Sequence, residues 1–222
     1  MKEISVFVSV GGTANDIQEA FVRAVEDRLR GEGLIPHTVG RNTFSADAPL
    51  KTVTELMDTC SGTVVIALER TYFPSGVEKR GGAYATNLAE VRYPTPWNQI
   101  EAAMAFSRGH PLIVIVERGL RSEGLLERGN QWYVQSVEPI PSSLTSLEFN
   151  GVLASWKERV AQNAITKGEN SSESVKSPDQ LTIGDLMRGL KPAQLWSMLA
   201  ALAALVAASV AVGAKLFHPI LK

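Results

Sequence analysis

Glu101 is the side chain of this sequence whose surroundings best fit acid, base or nucleophilic chemistry. It lies among small alanines on a helix predicted over Trp97–Ser107, whose Ile100, Ala103 and Met104 are expected to face the core. A carboxylate in a partly dry pocket can stabilise or attack an oxocarbenium-like centre, as cleavage of an N-glycosidic bond requires. The alternative is a solvated helix glutamate.

A glycine turn follows the first predicted strand, Ile4–Val10. Ser9 lies at the end of that strand. Gly11, Gly12 and Thr13 could present backbone amides to a phosphate or ribose at the start of the next helix. A plain turn without a ligand is the other interpretation of the same residues. We therefore treat all four as candidate substrate-binding residues.

Two further side chains could contact a ligand. Arg41 lies in a polar loop after the second predicted strand, and it could bind a ligand or remain solvated. Trp97 could stack on a base or pack beneath the long connection before it. His37, His110 and His218 have no metal-ligand spacing, so no metal site is expected.

Short apolar runs alternate with amphipathic segments over the first 163 residues. Thr63–Leu68 and Leu112–Val116 are continuously apolar, as strands covered on both faces are. The pattern predicts an α/β fold of the flavodoxin-like kind, in which a parallel sheet is the middle of three layers. Ligands bind such sheets outside the carboxyl ends of the strands. The connection Glu69–Pro96 is long enough to indicate a functional or mobile loop.

Three stretches of the chain resemble TIR domains and the related nucleoside deoxyribosyltransferase-like proteins. They are the opening strand and turn Val6–Gly12, the segment Lys51–Gly76, and Trp97-x-x-x-Glu101 before an apolar strand. In the second group a nucleophilic glutamate is followed by the pattern that Ala105, Gly109 and Pro111 match here. The resemblance implies a pocket for NAD or a related nucleotide, whose glycosidic bond Glu101 would cleave without a further cofactor.

The C-terminal part of the chain differs from the rest. No charged side chain occurs from Pro192 to Ala214, a length that matches the roughly 30 Å of bilayer hydrocarbon. We expect a transmembrane helix over residues 192–217; a buried core helix is the alternative. A flexible linker, with a possible short amphipathic helix, is expected over 164–191. Because the N-terminus does not look like a signal peptide, we expect a single-pass protein of the inner (cell) membrane with its domain in the cytoplasm.

The net charge indicates which partners the chain can bind, and the cysteine content indicates its redox compartment. The formal net charge of −1 gives no basic surface for nucleic acid. Cys60 is the only cysteine, so no intramolecular disulfide can form, and we expect it in the core of a protein from a reducing compartment.

The sequence and its resemblance to TIR-like proteins favour two functions of different class. The first is a membrane-tethered, TIR-like enzyme that cleaves NAD or a related nucleotide, which the resemblance would place in bacterial antiviral defence. The second is a non-enzymatic receptor for a nucleotide signal, whose transmembrane helix oligomerises and perturbs the membrane. The row Ala200, Ala204 and Ala208 would let such helices approach closely, so a homo-oligomer is expected; a generic alanine-rich anchor is the alternative.

Overall fold

The computed structural model describes residues 3–173. The chain divides into two units, and the first, Met1–Asn170, has an α/β fold. Its strands are β1 (Ile4–Val10), β2 (Leu34–His37), β3 (Thr63–Ala67), β4 (Thr71–Glu78), β5 (Thr86–Tyr93), β6 (Leu112–Glu117) and β7 (Tyr133–Val137). Its helices are α1 (Asp16–Gly31), α2 (Pro49–Thr59), α3 (Pro96–Ser107) and α4 (Leu147–Glu173), with short 3₁₀ turns at Gly124–Leu126 and Pro141–Thr145.

Five strands build the central sheet in the order β2-β1-β3-β6-β7, and every neighbouring pair in it is parallel. Counted within this sheet alone, the order is 2-1-3-4-5, which is that of flavodoxin-like folds. All five residues of β3 are buried, because helices cover the strand on both faces. The predicted α/β class and the parallel sheet between helical layers are confirmed.

Side chains that alternate along the strands fill two separate cores. Val6 and Val8 of β1 pack with α1 and α4 on one face of the sheet. Phe7 packs with α2 and α3 on the other face. Cys60 belongs to this second core, as predicted, and burial raises the pKa of its thiol to about 11. The thiol therefore stays protonated at neutral pH.

The inward face of α3 differs from the predicted one. Asn98, Glu101, Ala102 and Ala105 are buried, whereas Ile100 is 43% exposed. The prediction that Ile100 and Ala103 point into the core was wrong, whereas Met104 is partly buried and packs against the second core, as predicted. Alanine has almost no side-chain volume, so its face lets the helix lie close to the sheet. That packing turns Glu101 inward.

The long connection after β3 is a β-hairpin, not a structureless loop. Strands β4 and β5 pair antiparallel from Thr71↔Tyr93 to Glu78↔Thr86. Arg121, in the loop after β6, donates to Glu78 at 2.7 Å and lies over the Tyr93 ring at 5.9 Å. These contacts dock the hairpin beside the carboxyl-end edge of the main sheet.

Helix α4 continues past residue 163 as far as Glu173, so the first part of the segment predicted as linker is helical. Asn163 donates to the Ser61 carbonyl at 2.8 Å, and Lys167 donates to the carbonyl of Cys60. These bonds hold the helix against the loop before β3. Within residues 3–173 no helix has the length and apolar content needed to cross a membrane. The predicted span 192–217 and the possible amphipathic helix before it lie outside the described residues.

Candidate active site

Glu101 lies in the first half of α3 and points toward the sheet, with 8% of the residue exposed. Burial raises the pKa of its carboxyl to about 7, and a hydrogen bond with the Ser9 side chain acts in the opposite direction. At neutral pH the carboxyl is therefore divided between its protonated and ionised forms. The protonated form of such a carboxyl can act as a general acid, and the ionised form can act as a nucleophile.

Ser9 connects Glu101 to a second buried polar residue, Asn98. The Nδ2 group of Asn98 donates to the Ser9 hydroxyl at 3.1 Å and to the main-chain oxygen of Ile66 at 3.3 Å. Ser9 and Asn98 are each 1% exposed. A chain of polar contacts thus runs from β3 through Asn98 and Ser9 to Glu101, inside an otherwise apolar layer.

The position of these residues in the sheet matches the ligand-binding edge of flavodoxin-like folds. Ser9 lies next to the last residue of β1, and Ile66 lies next to the last residue of β3. The connection after β1 crosses one face of the sheet, while α2 and α3 cover the other. Ligands bind open α/β sheets at such a topological switch point.

The glycine turn packs against the start of α3. A Cβ atom on Gly11 would lie 2.9 Å from the Cγ2 atom of Thr95, so the close approach needs glycine. The carbonyl of Gly12 accepts from Arg70 at 3.4 Å. Gly11 therefore has a packing role in this structure, and ligand binding by Gly11 and Gly12 stays a prediction.

Thr13 and Arg41 meet at Glu19 of α1. The Thr13 hydroxyl donates to one carboxylate oxygen of Glu19 at 2.9 Å, and Arg41 contacts both oxygens at 2.9 Å. Arg41 also pairs with Glu26 at 3.3 Å. Hydrogen bonds from Arg41 and Arg23 are the main causes that lower the pKa of Glu19 to about 2. The charge of Arg41 is thus already compensated by two carboxylates, and binding of a ligand by Thr13 and Arg41 stays a prediction.

Trp97 lies one turn before Glu101 on α3 and is 41% exposed. Residues four apart are neighbours on a helix, so the exposed indole lies one turn from the buried Glu101 side chain. The Trp97 amide is bonded to the N-cap residue Thr95 at 3.4 Å. Its partly exposed ring leaves room for stacking on a base, a role that stays a prediction.

Asn98 is the member of the site that the sequence did not reveal. It lies three residues before Glu101 and therefore on the same face of α3. The sequence spacing places Asn98 on the same helix face as the buried Ala102 and Ala105, and this spacing could have identified it. A helix face that contains Ile100 excludes Asn98, so the predicted face hides this residue.

Metal-ligating side chains do not converge in the part of the chain that the structure describes, residues 3–173: no group of three or more histidine, cysteine or acidic residues could hold an ion there. His110 is buried and bonded to the Thr63 hydroxyl at 2.9 Å. Burial, followed by the charge of Lys167, lowers its pKa to about 4. His110 is therefore neutral at physiological pH, at the end of the sheet opposite Glu101.

No protein-family model matches the chain, and no curated protein matches its sequence. Among solved structures, a CMP N-glycosidase of Clostridium botulinum is similar over 66% of this chain and 98% of its own, with 16% identity and a TM-score of 0.39. The TIR domains of the Roq1 resistosome are similar over 73% of this chain and 84% of their own, with 13% identity and a TM-score of 0.35. A flavodiiron core of Synechocystis is similar over 72% of this chain and 36% of its own, with 10% identity and a TM-score of 0.41.

Proposed function

We propose that this protein cleaves the N-glycosidic bond of NAD or a related nucleotide, with Glu101 as the acting carboxylate. The observation that carries the proposal is the burial of Glu101 at the switch point, beside the hydrogen-bonded and buried pair Ser9 and Asn98. A surface glutamate would keep an ordinary pKa and be fully ionised and hydrated. A buried carboxylate is poorly hydrated and is therefore a stronger nucleophile toward an electron-poor carbon.

The proposed step uses one carboxylate. An oxygen of Glu101 bonds to the anomeric carbon as the carbon–nitrogen bond breaks, and the bonding pair leaves with the base. In NAD the departing nicotinamide becomes neutral when it takes that pair, so this base needs no added proton. Water then attacks the glycosyl ester, loses a proton to solvent and regenerates the carboxylate. The half-exposed ring of Trp97 supplies a surface on which the base can stack.

The test compares Glu101→Gln with the wild-type chain on NAD and on pyrimidine and purine nucleoside monophosphates, with free base measured by chromatography. We expect the Glu101→Gln variant to lose activity by at least about 10³-fold, because an amide cannot form the glycosyl ester. Glu55→Gln is the matched control: Glu55 lies on the solvent side of α2 and pairs weakly with Lys51. Equal release of base by wild type and Glu101→Gln would refute the role of Glu101.

A nucleotide receptor is the second candidate, and the hairpin between β3 and α3 favours it. This insertion lies directly between two elements that build the site, so a ligand bound there could alter the hairpin without being cleaved. The same samples distinguish the two functions. Saturable binding of a nucleotide by calorimetry, without release of base from any substrate, would establish the receptor and exclude the enzyme.

We further propose that residues 192–217 form a single-pass anchor in the inner membrane, that the domain faces the cytoplasm, and that cleavage serves a defence or cell-death response by assembled copies. The uncharged run from Pro192 to Ala214 supports the anchor; the defence role rests on resemblance to TIR-like proteins. Leu202→Asp with Leu205→Asp should release the full chain from washed membranes. Retention of this variant would exclude a span through these residues.

A further inference from the structure

We propose that Asn98 is a positioning residue of this site: its amide fixes the Ser9 hydroxyl so that the Ser9 proton is donated to the Glu101 carboxylate. The catalytic consequence rests on the proposed function. The hydrogen-bond arrangement itself does not, because the ionisation of Glu101 can be measured whether or not the protein turns over a substrate.

The orientation of the Asn98 amide follows from its two partners. A main-chain oxygen such as that of Ile66 can only accept a hydrogen bond, so the group that faces it at 3.3 Å must be Nδ2. The same Nδ2 faces the Ser9 hydroxyl at 3.1 Å with its other proton. Turning the amide over would set Oδ1 against the Ile66 oxygen and lose a hydrogen bond. The arrangement on β3 therefore determines which end of the amide meets Ser9.

The other end of the amide shows how strongly this orientation is imposed. Asn98 Oδ1 is buried and has no hydrogen-bond partner among residues 3–173. An unpaired buried acceptor destabilises the folded state. The fold carries this cost at a residue that is 1% exposed, three residues from Glu101 on the same helix face.

Ser9 has one proton to donate. Because Asn98 donates to the Ser9 oxygen, that oxygen acts as an acceptor toward Asn98 and keeps its own proton for another partner. Ser9 is 1% exposed, so bulk water is not that partner. Glu101 lies three residues after Asn98 on the same buried face of α3, and a hydrogen bond from the Ser9 side chain lowers its pKa. The donated proton favours the ionised form of Glu101 and opposes the effect of burial. In the described part of the chain, burial and Ser9 are the two influences on the Glu101 pKa.

The experiment measures the titration of Glu101 in the full chain, in detergent, by carbon-13 NMR of labelled glutamate carboxyls. The Glu101 signal is assigned by its loss in Glu101→Gln. We expect Ser9→Ala to raise the titration midpoint by about one pH unit, since it removes a hydrogen bond to a charged group. Asn98→Leu should raise it by a similar amount, although the hydrogen bonds of the Asn98 side chain go to Ser9 and Ile66 and not to the carboxyl. The double variant should raise it no further than Ser9→Ala alone, because both changes remove the same interaction.

Gln99→Leu is the matched control. Gln99 is the neighbouring amide on α3, and it bonds to the Glu123 carbonyl at 2.6 Å and to the Leu125 amide at 3.0 Å, outside this site. Its loss should leave the Glu101 midpoint where it is. If Asn98→Leu does not fold, as judged by its amide spectrum, the smaller Asn98→Ala replaces it.

The outcomes separate the two proposals. An unchanged midpoint in a folded Asn98 variant, or additive changes in the double variant, would overturn the positioning role even if the wild type cleaves nucleotides. The expected changes in a chain that cleaves nothing would establish the positioning role and exclude the proposed enzyme.

Discussion

Gly11 and Thr95 are in such close contact that a methyl group on Gly11 would lie 2.9 Å from the Thr95 Cγ2 atom. Gly11 follows β1, and Thr95 is the N-cap of α3. The end of the strand that carries Ser9 therefore packs closely against the start of the helix that carries Glu101. This contact gives a direct test of the packing that assembles the site.

Gly11→Ala should destabilise the fold by about 1–3 kcal/mol, because the added methyl group overpacks the contact with Thr95. Thr95→Ser removes Cγ2 but keeps the oxygen that caps α3. The double variant should recover most of the lost free energy of unfolding, measured by urea denaturation. A Gly11→Ala chain as stable as wild type would contradict the contact.

The pH dependence of cleavage follows from the Glu101 pKa of about 7. A nucleophile must be ionised, so the rate should be low below pH 6, half-maximal near pH 7 and constant above pH 8. A general acid would give the opposite profile, with the rate falling as pH rises through 7. Measuring initial rates of base release from pH 5 to 9 distinguishes the two roles. Glu55→Gln should reproduce the wild-type curve.

Glu19 should contribute to stability in a pH-dependent way. Its folded-state pKa of about 2 lies below the ordinary value of 4.5, mainly because Arg41 and Arg23 donate to it. Such a group stabilises the fold above pH 4.5, and the contribution is lost as pH falls from 4.5 toward 2. Glu19→Gln should therefore cost about 1–3 kcal/mol at pH 7, allowing for partial exposure of the pair.

At pH 2 the Glu19→Gln variant and wild type should be nearly equal in free energy of unfolding. Glu158→Gln provides the control, because Glu158 is an exposed glutamate on α4 with no ion pair to another side chain within residues 3–173. A difference between Glu19→Gln and wild type that is constant from pH 7 to pH 2 would mean that the ion pairs with Arg41 and Arg23 do not form.

Gly62 should be as intolerant of a side chain as Gly11. A Cβ atom there would collide with the Val160 side chain and lie 3.2 Å from the Trp156 ring, both on α4. We expect Gly62→Ala to destabilise the fold by about 1–3 kcal/mol and Val160→Ala to offset part of that loss in the double variant. Additive losses in the double variant would show that α4 does not pack on Gly62.

The sheet could be predicted from the sequence because its strands are apolar on both faces. Runs such as Thr63–Leu68 have few other interpretations once glycine turns and amphipathic helices flank them. Glu101 could be singled out because a charged residue among alanines is unusual on a helix beside such a sheet. Its placement at the switch point follows from topology alone.

The inward face of α3 and the hairpin could not be predicted in this way. On α3 the helix buries alanines and Asn98 and leaves the larger Ile100 half exposed, which reverses the usual link between apolar volume and burial. In β4 nearly every residue is exposed, so no alternation of apolar and polar residues reveals the strand. Both features lie between β3 and β6, the segment that also carries Asn98 and Glu101.

The turn of the hairpin lies between Glu78 and Thr86, at the opposite end of the β4–β5 pairing from Thr71 and Tyr93. Solvent-exposed tips of this kind tolerate extra residues better than the elements they join. A fluorescent reporter or affinity tag inserted after Gly81 should therefore leave the bond between Asn98 and Ser9 intact. The chain can thus be labelled in its interior, close to Glu101 in sequence, with both termini unchanged.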